Sequence, residues 1–156
     1  YRMEEYYYAS RRTGVQLTDQ EYLAALERLA NGRPIRCVVA DPSAASFITA
    51  LRQVGHRVIK ANNDVLSGIR ITAGLLKQGR IVICERCEDC LREIALYRWS
   101  EEAGGRDAPH KDNDHAMDDM RYFAATIAVA AESGGEGGFC AAARRPATLT
   151  EGWWRY

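Results

Sequence analysis

A short acidic stretch in the last third of the chain carries the residue types that most clearly suggest chemistry. Residues 111–123 contain four aspartates and one histidine. If the stretch is helical, Asp114 lies beside Asp118 and His115 beside Asp119, because side chains four positions apart share a face. Oxygen-rich clusters of this kind suit Mg²⁺ or Mn²⁺ better than zinc. The plainer alternative is that the first two aspartates cap the helix and the other two are solvated surface charges.

Asp41 is the second candidate ligand for a metal ion. It follows residues 35–40, an apolar run with the β-branched composition of a strand buried on both faces. Pro42 favours an extended backbone at Asp41. Ligands of parallel α/β sheets collect at the carboxyl ends of the strands, so we expect Asp41 to face the acidic helix there. Two metal ions about 4 Å apart would then activate water and stabilise the leaving oxygen of a phosphodiester. A turn residue before proline is the ordinary alternative.

The rest of the sequence predicts an α/β domain that would bring these groups together. Short β-rich runs alternate with segments of helical period, an order typical of a largely parallel sheet. Thr18 and Glu21 form a capping box before the first long helix, and Asp64 precedes a later one. We predict strands at residues 1–10, 35–40, 56–61 and 80–84, and helices at residues 19–30, 43–54, 65–78, 88–99 and 111–131.

Composition favours one compact unit, because 47% of the 156 residues are hydrophobic. Lysine plus arginine and aspartate plus glutamate number 21 each, so any DNA contact must come from local patches. No apolar run approaches the roughly 20 residues that span a bilayer. Five cysteines, an odd number, favour reduced thiols in a cytoplasm over a disulfide framework. The chain begins with Tyr1, which leads us to expect a fragment.

A cysteine series competes with the acidic stretch as a metal-binding candidate. Cys84, Cys87 and Cys90 are three residues apart, and closely spaced thiolates bind zinc or iron–sulfur clusters. The series straddles a predicted strand end and helix start, and no second pair of cysteines or histidines follows nearby in the sequence. We therefore interpret these residues as buried or half-buried thiols.

Four sequence blocks, taken together, are similar to a known family. They are the Ala-Asp-Pro-Ser sequence at 40–43, residues 60–70, residues 87–99 and the Asp-His-x-x-Asp-x-x-Arg-Tyr block at 114–122. In this order they resemble the C-terminal nuclease domain of the large terminase subunit of tailed bacteriophages. The resemblance covers about residues 6–125, and the last block is its most specific part.

The resemblance implies a ribonuclease H-like three-layer fold with a mixed, mainly parallel central sheet flanked by helices. It also implies an endonuclease that cuts concatemeric double-stranded DNA with a two-metal site of Mg²⁺ or Mn²⁺. Asp41 matches the family's second catalytic acid. Asp114, His115 and Asp118 cover the positions of its third metal ligand, and Asp118 is the most natural carboxylate among them. The candidate catalytic residues are therefore Asp41, Asp114 and Asp118, and the sequence leaves open which of the three helix residues touches metal.

Two basic residues lie where a DNA backbone would pass the predicted metal ions. Lys60 ends a predicted strand and Lys111 precedes the acidic residues, and such side chains would contact phosphates without reading sequence. The resemblance implies further partners, namely the terminase ATPase domain, the small terminase subunit and the portal, in the cytoplasm of the bacterial host. It implies no membrane.

The resemblance also sets an expectation about activity. The family's first catalytic aspartate lies on a strand before residue 1, so we expect weak or no cleavage by this chain alone. The sequence has no Gly-x-x-x-x-Gly-Lys-Ser/Thr loop, and the family's ATPase domain is expected upstream. Residues 1–131 would form the nuclease domain and residues 132–156 an irregular or disordered tail. The alternatives are another ribonuclease H-like nuclease, such as a junction resolvase, and a non-catalytic module that docks on the portal or on partner subunits.

Overall fold

Short strands and longer helices alternate along the chain, as the sequence predicts. The computed structural model describes residues 1–100, 108–112 and 114–129, and the predicted tail at 132–156 lies outside them. The strands are β1 (Arg2–Met3), β2 (Val38–Ala40), β3 (Val58–Lys60) and β4 (Val82–Ile83). The helices are α1 (Ser10–Thr13), α2 (Asp19–Ala30), α3 (Ala45–Gln53), α4 (Val65–Lys77), α5 (Glu88–Leu96) and α6 (His115–Phe123). The last helix continues as a π-helical turn over Ala124–Ala128. Within the described ranges, no helix has the length and apolar character needed to cross a bilayer.

Capping residues start two of the predicted helices. The Thr18 hydroxyl accepts a hydrogen bond from the Glu21 amide at 3.3 Å, and the Glu21 carboxylate accepts one from the Thr18 amide at 2.8 Å. Asp64 caps α4 by accepting from the Ser67 amide at 3.1 Å. These bonds satisfy backbone donors that a helix start otherwise leaves unpaired. Both α2 and α4 therefore begin where the capping pattern predicts.

The described strands form two parallel pairs. β1 lies beside β4, with Arg2 opposite Val82, and β2 lies beside β3, with Ala40 opposite Lys60. Parallel strands need a crossover between them, and α3 supplies it between β2 and β3. The parallel direction and the α/β class are therefore as predicted, whereas each hydrogen-bonded strand is shorter than the apolar run that contains it.

The predicted strand at residues 1–10 is wrong beyond its first residues. Within this segment, only the residues of β1 pair with another strand. Helix α1 follows at the end of the segment and is terminated by Gly14, which has a φ of 71°. Two of the tyrosines that suggested a long strand use their hydroxyls in contacts outside any strand. Tyr7 donates to Glu93 at 2.6 Å, and Tyr8 donates to a backbone carbonyl at 2.7 Å. High strand propensity here reflects aromatic side chains that pack against other elements.

The helix predicted at residues 88–99 ends earlier, at Leu96. Tyr97 has an extended backbone, with φ −69° and ψ 119°. Trp99 then forms an antiparallel bridge with Pro109. The end of α5 is therefore set by a long-range backbone pairing that helical periodicity does not contain.

Two apolar clusters hold the helices against the strands. One contains Leu75, Ile81, Ala124 and Ala128, and the other contains Cys87, Cys90, Met117 and Met120. Cys87 and Cys90 are 2% and 1% exposed. Burial raises the pKa of the Cys90 thiol to about 11. These two cysteines are therefore neutral thiols of the core between α5 and α6.

Helices α4 and α6 approach closely at Gly68. A Cβ atom at that position would overlap the Cγ and Cδ atoms of Arg121, which is only 4% exposed. Gly74 lies on the same helix, and among the described residues nothing stands within 4 Å of its Cβ position. The two glycines of α4 therefore have opposite surroundings.

We predict that Gly68→Ala destabilises the protein and that Gly74→Ala stabilises it. Alanine is favoured over glycine by about 1 kcal/mol at an open helix position. At Gly68, overlap with the buried Arg121 side chain costs about 1–3 kcal/mol and outweighs that gain. Urea unfolding measures both free energies, with Gly74→Ala as the matched control. A Gly68→Ala protein as stable as the control would contradict the close approach of the two helices.

Candidate metal centre

Asp41 lies directly after β2, and hydrogen bonds fix both oxygens of its carboxylate. Oδ1 accepts from the Ser43 amide at 2.7 Å and from the Ser43 hydroxyl at 2.6 Å. Oδ2 accepts from the hydroxyl of Tyr122 on α6 at 2.5 Å. The hydrogen bonds from Ser43 and Tyr122 hold the pKa of Asp41 below its ordinary value. Asp41 is therefore an anion that is tied directly to α6.

A buried carboxylate from α5 fixes the start of α6. Glu93 is 0% exposed. Its Oε2 accepts from the Ala116 amide at 2.7 Å, and its Oε1 accepts from the Tyr7 hydroxyl at 2.6 Å. A carboxylate at a helix N-terminus satisfies an otherwise unpaired amide and is favoured by the helix dipole. Glu93 therefore sets the position of the whole acidic helix.

The two aspartates before α6 do not take this capping position, contrary to the plainer alternative from the sequence. Asp114 stands at the N-cap and is 9% exposed, but its side chain makes no capping hydrogen bond to any described residue. Asp112 lies beside His110, with 3.5 Å between Oδ2 and Nδ1. The cap comes from a distant element of the chain.

The helix predicted at residues 111–131 starts later, at His115, so Asp114 lies outside it at the N-cap. The acidic side chains within α6 lie on two faces. His115 and Asp119 line one cavity of about 360 Å³. Asp119 also lines a larger cavity of about 810 Å³, and so does Asp41. Asp118 points to the neighbouring face and accepts from Nη2 of Arg121 at 2.7 Å. In the described part of the chain, Asp119 is therefore the α6 carboxylate that shares a cavity with Asp41.

Asp119 is surrounded by other carboxylates. Its side chain is exposed, yet the protein atoms around it raise its pKa, and the charge of Asp118 raises it further, to about 6. Glu93 and Asp41 act in the same direction, and His115 opposes them. Asp41 and Asp119 thus share one cavity with opposite pKa shifts. A cation between them would favour the charged form of Asp119.

The predicted DNA-contact residues differ in their relation to this cavity. Lys60 is exposed at the end of β3 and lies opposite Ala40, the residue before Asp41. It therefore stands at the same sheet end as Asp41. Lys111 is exposed in the segment before α6, and within the described residues nothing connects its side chain to the cavity.

The donor atoms fit a hard divalent cation. Mg²⁺ is commonly held by one or two carboxylates together with water and substrate phosphates, and Asp41 and Asp119 supply two carboxylates to one cavity. No group of three or more His, Cys, Asp or Glu side chains that could hold an ion occurs across the described residues. If these two carboxylates held such an ion, water and substrate phosphates would have to complete its coordination.

Three residues of this site were missed in the sequence. Helical spacing placed Asp119 beside His115, but the family resemblance favoured Asp118 as the metal ligand. Ser43 stands two residues after Asp41, the spacing of a turn in which an aspartate accepts from the backbone, and this signal could have found it. Tyr122 ends the block at 114–122 that carries the resemblance, but its contact with Asp41 depends on the distance between β2 and α6.

These features define an α/β domain with carboxylates gathered between a strand end and a facing helix. Its fold and sequence are similar to those of solved phage large terminases. The large terminase from a thermophilic bacteriophage, in complex with ADP, matches with a TM-score of 0.75 and 44% identity, over 79% of this chain and 32% of that chain. A second structure of the same phage protein, and its complex with ATP-γ-S, match with the same values. This chain thus spans about a third, 32%, of the solved terminases that it matches. No protein-family model matches the chain, and no curated protein matches it.

We predict that Glu93→Ala lowers the free energy of unfolding by about 2–4 kcal/mol, because it removes a helix cap and the acceptor of the half-buried Tyr7 hydroxyl. Chemical denaturation measures the loss. Glu85→Ala, which removes an exposed carboxylate just before α5, is the matched control and is expected to be near neutral. Equal stability of the two variants would contradict the capping assignment.

We predict that Asp119→Asn stabilises the protein at neutral pH. The folded-state pKa of about 6 exceeds the ordinary 3.8, so the stability from protonated Asp119 is fully present below 3.8 and is lost as the pH rises through 6. Asparagine cannot ionise, and the advantage of the variant therefore grows across that window. Because water screens an exposed carboxylate, we expect about 1 kcal/mol or less.

Urea unfolding over the same pH window measures this difference. Asp112→Asn, which neutralises another exposed aspartate near α6, is the matched control. A difference between Asp119→Asn and the parent protein that stayed constant with pH would contradict the raised pKa.

Proposed function

We propose that this chain is the nuclease portion of a phage DNA-packaging large terminase, an endonuclease that cuts concatemeric double-stranded DNA. Similarity to the large terminase of the thermophilic bacteriophage, at 44% identity, supports the terminase assignment. The choice of the nuclease portion rests on one observation, the pair of carboxylates from Asp41 and Asp119 that line one cavity. This cavity lies at the carboxyl end of a parallel strand, where α/β domains bind their ligands.

A ribonuclease H-like arrangement of the fold is part of this proposal. Its support is the pairing of β1 with β4 and of β2 with β3, parallel in both cases, with helices packed around them. α6 contacts both α4 and α5, and it also contacts β2. The acidic helix therefore faces the strand end that carries Asp41, as a nuclease site of this kind requires.

Asp41 and Asp119 would hold Mg²⁺ or Mn²⁺, in a two-metal arrangement that also draws on Asp118. When bound, the ions would polarise the phosphodiester and activate the attacking water. Asp41 would serve as a fixed anion, since both of its oxygens are already oriented by hydrogen bonds. At a pH below about 6, Asp119 would lose its proton as it binds a cation. Asp114 and His115 remain candidate ligands at the start of the same helix.

The DNA backbone would approach from the side of Lys60. This residue is exposed at the sheet end that carries Asp41, and a cation there would attract phosphates independently of sequence. Lys111 is the second candidate, in the segment before α6. An overall net charge of zero leaves DNA binding to such local groups.

By the same similarity, the chain would act beside a terminase ATPase domain, a small terminase subunit and the portal, in the cytoplasm of a bacterial host. The ADP and ATP-γ-S complexes belong to the thermophilic phage protein, of which this chain covers 32%. Nucleotide binding is therefore assigned to that longer protein, and the function proposed for this chain does not include it.

Calorimetric titration of this chain with MnCl₂ tests the proposal. The parent protein is expected to bind Mn²⁺, and Asp41→Asn and Asp119→Asn are each expected to weaken binding by at least about tenfold, since each removes one of few ligands. Affinity is also expected to fall as the pH drops through about 6, because protons compete with the ion for Asp119. Asp112→Asn is the matched control.

The outcomes separate the candidate functions. No Mn²⁺ binding by the parent protein, or equal binding by all variants, would contradict a metal-dependent nuclease and leave the non-catalytic docking module. If Mn²⁺ binds and the protein nicks DNA, a preference for plain duplex over a four-way junction supports the terminase nuclease. The reverse preference would support a junction resolvase.

A further inference from the structure

The guanidinium of Arg121 is buried between the acidic helix and α4. Arg121 is 4% exposed, and its Nη2 donates to Oδ1 of Asp118 at 2.7 Å. Its Nε and Nη1 atoms have no hydrogen-bond partner among the described residues. α4 makes room for the side chain by presenting Gly68, where a Cβ atom would overlap Arg121. Among the described residues, this full positive charge is thus enclosed with a single ion pair.

Burial of this kind is a poor way to stabilise a fold. Removing a charged group from water costs several kcal/mol, and buried N–H groups without partners cost about 1–3 kcal/mol each. An apolar side chain of similar volume would pack between the two helices at lower cost. Buried polar groups left unsatisfied in this way call for a functional explanation.

The contacts of Arg121 connect Asp118 with Asp41. Its guanidinium carbon lies 4.7 Å from the centroid of the Tyr122 ring, a cation–π distance. The hydroxyl of that same ring donates to Oδ2 of Asp41. A continuous series of contacts therefore runs from Asp118 through Arg121 and Tyr122 to Asp41.

We propose that Arg121 is a positioning residue of the metal centre, which orients Asp118 directly and Asp41 through the ring of Tyr122. This inference rests on the proposed nuclease function, because it concerns how the acids are aligned for a metal ion. Arg121 touches neither a substrate nor the reacting atoms in this scheme. The edge of its planar guanidinium can donate to a carboxylate while the flat side stacks on an aromatic ring. A lysine cannot make both contacts at once.

Two conservative substitutions test the inference by Mn²⁺ calorimetry. Arg121→Lys keeps the charge but loses the planar group, and Tyr122→Phe removes only the hydroxyl that holds Asp41. Each is expected to raise the Kd for Mn²⁺ by about 10- to 100-fold, the range seen when groups that orient metal ligands are removed. Arg52→Lys, on the exposed end of α3, and Tyr8→Phe, whose hydroxyl bonds Thr13 and Val15, are the matched controls and should bind as the parent does.

The double variant distinguishes positioning from a general packing role. If Arg121 acts on Asp41 through Tyr122, the Kd of Arg121→Lys/Tyr122→Phe rises by less than the product of the two single effects. A packing role alone would lower the melting temperature of Arg121→Lys and leave its Mn²⁺ affinity unchanged. Tyr122→Phe keeps the test decisive if Arg121→Lys does not fold.

The parent protein and Asp41→Asn separate this inference from the proposed function. If the parent binds Mn²⁺, Asp41→Asn weakens binding, and both conservative variants bind as the parent does, the positioning role is overturned while the nuclease proposal stands. If the parent binds no Mn²⁺, the nuclease proposal and the positioning role of Arg121 are both overturned. Weakened binding in both variants, with unchanged controls, supports the positioning role.

Discussion

The hydrogen bond from Tyr122 to Asp41 joins the acidic helix α6 to the end of strand β2, where Asp41 lines the cavity. Tyr122 and Asp119 are three residues apart on α6, so the turn that brings the hydroxyl to Asp41 also brings Asp119 to the cavity that Asp41 lines. A neutral donor is well suited to this contact, because it approaches the Asp41 carboxylate without adding a further negative charge. The remaining contacts of α6 preserve this alignment.

Two carboxylates position the helices that carry the site, one after the other along the chain. Glu5 accepts from the amides of Asp89 and Cys90 at 3.0 Å each, at the start of α5. Glu93, near the end of α5, accepts in turn from an amide at the start of α6. Each cap uses the favourable interaction of an anion with a helix N-terminus. The location of Asp119 therefore depends on residues far earlier in the sequence.

Local signals in the sequence were sufficient for much of this structure. The capping residues Thr18 and Asp64 begin their helices as predicted, and the apolar run before Asp41 contains a strand with parallel pairing. Helical spacing placed His115 and Asp119 on one face. The contacts of Glu93, Tyr122 and Arg121 could not be predicted in the same way, because each depends on how closely separate elements pack. The strand expected at residues 1–10 fails for the same reason, since Tyr7 contacts Glu93 on a distant helix.

Negative charges are crowded at this site. Asp41, Asp118 and Asp119 lie near one another, and the nearby guanidinium of Arg121 pairs with Asp118. The pKa of Asp119 is raised by its enclosure and because its negative charge adds to those already present. A divalent cation in the cavity would reverse that effect, and its binding would also stabilise the folded state by mass action. The crowding of carboxylates that raises the pKa of Asp119 would therefore strengthen the binding of a metal ion.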